Sequence, residues 1–199
     1  GIDLVGAGSD HTILRSTLLS RSTSKVMISF EADAETAAHN HPFTFHGFHL
    51  KAEGAYPPYA LLDLSNRHYT QHLTKVKIYD NKFQQLKNSG YTCISITFEP
   101  AVFGVVYANE IIDGTHAWRF LGSIDTGKTV VHWEPGSAYA LYFEDNLIDI
   151  TEAWDTSQII SGGNGNRYVS RYNTFDLSAR GPDKFMQAHD IHEIGRASC

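Results

Sequence analysis

Four times along this 199-residue chain, a short alternating apolar run ends in an asparagine that is followed by one residue and then a large apolar side chain. The copies are Asp80-Asn81-Lys82-Phe83, Ala108-Asn109-Glu110-Ile111, Asp145-Asn146-Leu147-Ile148 and Tyr172-Asn173-Thr174-Phe175. Their asparagines lie 28, 37 and 27 positions apart, a period that marks repeat architectures. Such spacing is too long for β-hairpins and leaves no room for a helix crossover in every unit. A longer self-similarity runs beside it. The stretch Ile96-Thr97-Phe98-Glu99-Pro100, continuing through Val105 to Asn109 and on to Ala117-Trp118, recurs about 35 positions later as Val131-His132-Trp133-Glu134-Pro135, Leu141 to Asn146 and Ala153-Trp154. Between the copies, short alternating runs bounded by Gly, Pro, Asn and Asp read as strands and turns.

Asparagine tolerates left-handed backbone conformations, and its amide can bond backbone groups inside a turn. Stacked coil on coil, these residues predict an amide ladder flanked by aliphatic and aromatic stacks. The composition fits: 42% of residues are hydrophobic, enough for a continuous core, and aromatics outnumber what a helical chain would need.

On these motifs the chain resembles the pectin-lyase-like family of right-handed parallel β-helices. The resemblance begins at Val5-Gly6-Ala7-Gly8-Ser9-Asp10-His11-Thr12-Ile13-Leu14, similar to an opening coil, and extends to Gly163 through Phe175 and Gln187-Ala188-His189, similar to late coils. It implies an all-β, right-handed, single-stranded parallel β-helix of about six or seven coils. Residues 1–199 then form one domain, incomplete at one or both ends, because the family leads one to expect a further coil beyond His189. It also implies three strands per coil, with the asparagine turn between the second and third. The first-type strands, on which the family binds saccharides, then fall at about 60–65, 94–99, 130–134, 158–162 and 184–189.

Side chains alternate across a strand. With Leu62, Ile96, Val131, Ile160 and Met186 inside, the outward column reads Asp63, Thr97, His132, Ser161, Gln187, and the next one Ser65, Glu99, Glu134, Gly163, His189. Coils stack about 4.8 Å apart, so Glu99 and Glu134 become neighbours, with His132 and His189 close by. Paired carboxylates repel, which raises the pKa of one or recruits a cation such as Ca²⁺. A raised carboxyl can serve as a general acid and a neighbouring His as a base. The plainer reading of both Glu-Pro pairs is turn chemistry.

The catalytic candidates are therefore Glu99, Glu134, His132 and His189, and the substrate-binding candidates Asp63, Thr97, Arg119, Arg171 and Gln187. Arg119, in the longer connection after Trp118, and Arg171, outward on its strand, could meet an anionic sugar or be ordinary surface charges. Lyases of the family abstract a proton beside a uronate carboxyl, whereas hydrolases on the fold use carboxylates. Neither signature is intact here, so the reaction stays open. The expected function is an extracellular, secreted or surface-bound β-helix that recognises a polysaccharide, as a lyase, a hydrolase or a binder. The alternative is a non-catalytic structural or attachment module, and exposed solenoid ends would favour self-association.

The remaining features exclude more than they assign. A net charge of -6 argues against non-specific nucleic-acid binding. No apolar run is long enough for a membrane span. Cys93 and Cys199 suit neither a disulfide framework nor a metal site, and Cys93 is expected to be buried. The histidines 39, 41, 46 and 49 are expected on turns and strands rather than around zinc, with His46 and His49 on opposite faces of one strand.

Overall fold

The computed structural model describes residues 2–17, 26–32, 39–53, 56–66, 73–85, 93–98, 102–113, 116–120, 138, 140–149, 158–162, 168–176 and 187–189. The chain runs in repeated rounds of three strands. The first two are β1 (Ile2–Val5), β2 (Ile13–Ser16) and β3 (Val26–Ala32), then β4 (Phe43–His46), β5 (His49–Ala52) and β6 (Ala60–Asn66). Next come β7 (Leu73–Tyr79), β8 (Lys82–Gln84) and β9 (Ile94–Phe98), then β10 (Val102–Tyr107), β11 (Glu110–Ile112) and β12 (His116–Phe120). The last two are β13 (Leu141–Glu144), β14 (Leu147–Asp149) and β15 (Gln158–Gly162), then β16 (Tyr168–Arg171), β17 (Thr174–Asp176) and β18 (Gln187–His189).

Every third strand joins the same six-stranded parallel sheet: sheet A holds β1, β4, β7, β10, β13 and β16, sheet B starts from β2 and sheet C from β3. This is an all-β, parallel-stacked architecture consistent with the expected β-helix. Its interior is built from in-register columns. Phe45, Ile78, Val106 and Phe143 line sheet A, Leu50, Phe83, Ile111 and Ile148 line sheet B, and Leu62, Ile96 and Trp118 line sheet C. All are at most 1% exposed, and burying each such side chain contributes roughly 1.5–3 kcal/mol. Trp118 stacks on Phe143 with centroids 4.2 Å apart, so sheets C and A meet inside the coil.

The amide ladder forms as anticipated, between sheets A and B. Asn81 donates from its backbone N (3.1 Å) and its Nδ2 (3.0 Å) to Asn109 Oδ1. Asn109 does the same to Asn146 Oδ1, both at 3.0 Å, and Asn146 to Asn173 Oδ1, both at 2.9 Å. Each Nδ2 also reaches a main-chain carbonyl, such as Ile78 O from Asn109. One detail differs from the expectation. The left-handed residue is the one before each asparagine: Asp80, Ala108, Asp145 and Tyr172 have φ of 51°, 51°, 53° and 59°. The asparagine itself is held by its amide bonds and its backbone follows the turn. In the second round Gly47 (φ 77°) takes the left-handed place and Phe48 the ladder place; Phe48 N donates to Asn81 Oδ1 and its ring stacks on Phe45 at 4.6 Å.

Sheet C corrects two expectations. The rung between Ile94–Phe98 and Gln158–Gly162 is filled by β12, which pairs with both, and not by residues 130–134. A rung above Asp63, on β3, was also missed; β3 pairs with β6 from Val26↔Ala60 to Ala32↔Asn66.

Candidate functional site

Sheet C carries most of the nominated residues that the structure describes. In-register parallel pairing aligns Ser29, Asp63, Thr97, Arg119, Ser161 and His189 on successive rungs. Arg119 thus occupies the place expected for His132. His189 occupies that expected for Gln187, because a register irregularity pairs Gln187 with Gln158. Residues Glu99, His132 and Glu134 lie outside the described residues. The expected Glu99–Glu134 pair, and calcium between them, therefore fall outside as well.

The first two rungs have the richest local chemistry. Asp63 Oδ2 accepts a hydrogen bond of 3.1 Å from Ser29 Oγ. Burial pushes the Asp63 carboxyl above the ordinary aspartate range, the Ser29 bond partly opposes this, and the charge of Glu31 on the neighbouring strand adds to it. Glu31 pairs in register with Ser65, one step along the face. Beside that rung, a cavity of about 260 Å³ opens between the early strands of sheets C and A, with Phe30, Phe43 and Leu64 as apolar wall and Glu31, Ser65 and His41 as its polar part.

Thr97 departs from expectation. Alternation points its hydroxyl outward, yet all five residues of β9 are buried, and the Thr97 Oγ1 has no hydrogen-bond partner among the described residues. Both faces of this strand are shielded, which is why alternation alone misjudged it.

Since the folded-state pKa of Asp63 is raised, its carboxylate opposes folding above the unfolded value and ceases to do so as pH falls below it. Asp63→Asn keeps an acceptor for Ser29 and removes that charge. The variant should melt about 2 °C higher than the parent at pH 7, with the gain vanishing near pH 3, where both are neutral. Melting curves at the two pH values, read by circular dichroism, check this.

Arg171 does not join the sheet C column. It ends β16 on sheet A, pairs in register with Glu144, and binds that carboxylate through Nε at 2.8 Å and Nη2 at 2.6 Å. The same outer column of sheet A carries His46, Tyr79 and Tyr107, whose rings stack at 4.4 Å and 4.9 Å, nearly parallel. Tyr79 is covered on both faces and His46 and Tyr107 on one each, so this stretch of the column, up to Tyr107, is packing rather than a ligand platform. The histidines divide as well: His46 ends β4 and His49 begins β5, on different sheets rather than on one strand, while His39 and His41 lie 5.6 Å apart. Burial lowers the His49 pKa and its hydrogen bond to Gln84 opposes that. No group of three or more metal-ligating side chains occurs among the described residues. Cys93 is buried as anticipated, and burial pushes its thiol upward.

Sequence reasoning missed Ser29 and Glu31, although Val26–Ala32 alternates as Ala60–Asn66 does and would have signalled another rung. Among the described residues, no helix is long and apolar enough to cross a membrane. Comparison with protein-family models finds no match, and comparisons with curated proteins and with solved structures find none either.

Proposed function

We propose that this chain is a right-handed β-helix that holds an extended polysaccharide along sheet C, in a secreted or surface-exposed setting. The observation that carries the reading is the polar ladder Ser29–Asp63–Thr97–Arg119–Ser161–His189, one such residue per coil across six parallel strands. At about 4.8 Å per coil, polar groups that repeat along an axis suit a polymer that repeats along its own. Asp63, whose carboxyl holds its proton more firmly than usual, is the proton donor in this reading. His189, four rungs or about 19 Å along the ladder, is out of reach of a bond that Asp63 protonates and is a base at a separate unit of the polymer; Arg119 is the partner of an anionic group. Glu99, Glu134 and His132 remain part of the proposal as further acid and base groups, as does calcium as a ligand of such carboxylates. Gln187 would bind rather than react, and Thr97, fully buried, has no contact with the polymer.

A second reading, a rigid attachment or structural module, is favoured by the complete burial of Thr97 in the middle of the ladder. Association through the first coil, where Ile2, Val5, Ile13 and Leu14 are exposed, would accompany that role.

Incubation with acidic and neutral polysaccharides separates the possibilities, with unsaturated-uronate absorbance and new reducing ends as the two readouts. Absorbance identifies a lyase, and reducing ends without it a hydrolase. Asp63→Asn, Arg119→Ala and His189→Ala should each lower the rate, Asp63→Asn by at least about 100-fold. Silence on every substrate, with no retention on insoluble polysaccharide, would sink the polysaccharide reading and leave the structural module.

A further inference from the structure

In five successive rounds, the turn from sheet A to sheet B carries one left-handed residue, and its identities are Gly47, Asp80, Ala108, Asp145 and Tyr172. Glycine, aspartate and alanine are small or suited to turns; a tyrosine is not, because the left-handed region crowds a bulky side chain against its own backbone. Tyr172 bears that strain at φ 59° while 74% exposed, so burial does not offset it. Strain at an exposed aromatic is an observation that asks for a ligand.

Its surroundings say which. The Arg171 guanidinium carbon lies 5.6 Å from the Tyr172 ring centroid and 5.7 Å from that of Tyr142, which is half-buried on β13. Glu144 clamps the same guanidinium from the side. Two aromatic rings thus flank a donor and an acceptor whose charges cancel. An aromatic face suits the apolar C–H face of a sugar ring, while a paired guanidinium and carboxylate supply a donor and an acceptor for adjacent hydroxyls. A uronate would find Arg171 already neutralised and the exposed carboxylate of Asp145 nearby on the same turn type.

We propose that Tyr142, Glu144, Arg171 and Tyr172 form a saccharide subsite on sheet A that takes a neutral hexose or pentose unit. It is separate from the sheet C ladder and stands whether or not that ladder reacts.

Calorimetric titration of the full chain with β-1,4-linked glucose, xylose and mannose oligomers, and with oligogalacturonate, tests it. At least one neutral oligomer should bind, and oligogalacturonate more weakly. Tyr172→Ala should weaken that binding at least tenfold, Tyr172→Trp should retain it, and Asp63→Asn on sheet C should leave it unchanged. Tyr172→Asp restores the residue found at two equivalent turns, so it should fold at least as well as the parent while losing the sugar. No binding of any neutral oligomer, preference for oligogalacturonate, or undiminished binding by Tyr172→Ala and Tyr172→Asp would each overturn the subsite. Loss in Asp63→Asn with retention in Tyr172→Ala would overturn it too, while supporting the sheet C reading.

Discussion

Replacing Asn109 with alanine is expected to lower the unfolding free energy by about 4 kcal/mol, near the top of what a single substitution does. Asn109 Oδ1 is the acceptor for both the backbone N and the Nδ2 of Asn81, while its own Nδ2 serves Asn146 Oδ1, Ile78 O and Tyr107 O. The residue is 2% exposed, so water cannot replace what is lost. Each buried group left unsatisfied costs roughly 1–3 kcal/mol. Alanine leaves several at once, in two neighbouring coils. Urea denaturation followed by far-ultraviolet circular dichroism measures the loss. A change below about 1 kcal/mol would mean that the turn re-forms around water and that the ladder is dispensable. Asn109→Asp should be at least as damaging, because its carboxylate keeps the acceptor for Asn81 but sets a buried charge against three acceptor oxygens.

Gly104→Ala should be at least as damaging, for a steric reason. Gly104 sits on β10 at φ 149°, where β7 and β10 shift register between Val102 and Gly104. A Cβ built there would stand 2.1 Å from the Val76 carbonyl oxygen and 2.8 Å from its carbon and nitrogen. These are main-chain atoms of the adjacent strand, so no rotamer change relieves the clash. The expected cost is ~4 kcal/mol or more, visible as lost soluble yield or a large fall in the urea midpoint. A midpoint equal to the parent's would show that β7 and β10 can part here without loss.

How much of this was legible in the sequence follows from what each turn demands. The asparagine turn allows a single geometry, so residues beside it kept their register: Val105 pairs with Tyr142 and Ile111 with Ile148, both 37 positions on, like Asn109 and Asn146. Away from that turn the repeat lost its meaning. Thr97 to Arg119 is a step of 22 and Arg119 to Ser161 a step of 42, so a constant shift of about 35 placed residues 130–134 on a rung that His116–Phe120 fills. The likeness of Ala117-Trp118 to Ala153-Trp154 is one of sequence, since Trp118 pairs with Ile160. Of the candidate site, Asp63, Thr97 and Ser161 were legible on one ladder because sheet C was anticipated, whereas Arg119, expected in the connection after Trp118, and His189, expected one column over, were not. The Ser29–Asp63 bond was not, because the alternation of Val26–Ala32, though legible, was not tied to any round by a repeated asparagine.

The contrast in turn lengths bears on how such a chain can change over generations. From the second round on, two residues separate the sheet A strand from the sheet B strand, as between Tyr79 and Lys82 or Glu144 and Leu147. Connections into and out of sheet C run from three residues, as between Phe98 and Val102, to twenty between Phe120 and Leu141. Insertions beside sheet C therefore leave the corner clamped by the amides undisturbed. One edge of each coil works as a fixed spine, and the opposite edge is free to acquire new loops, so recognition can diversify without the frame having to be reinvented.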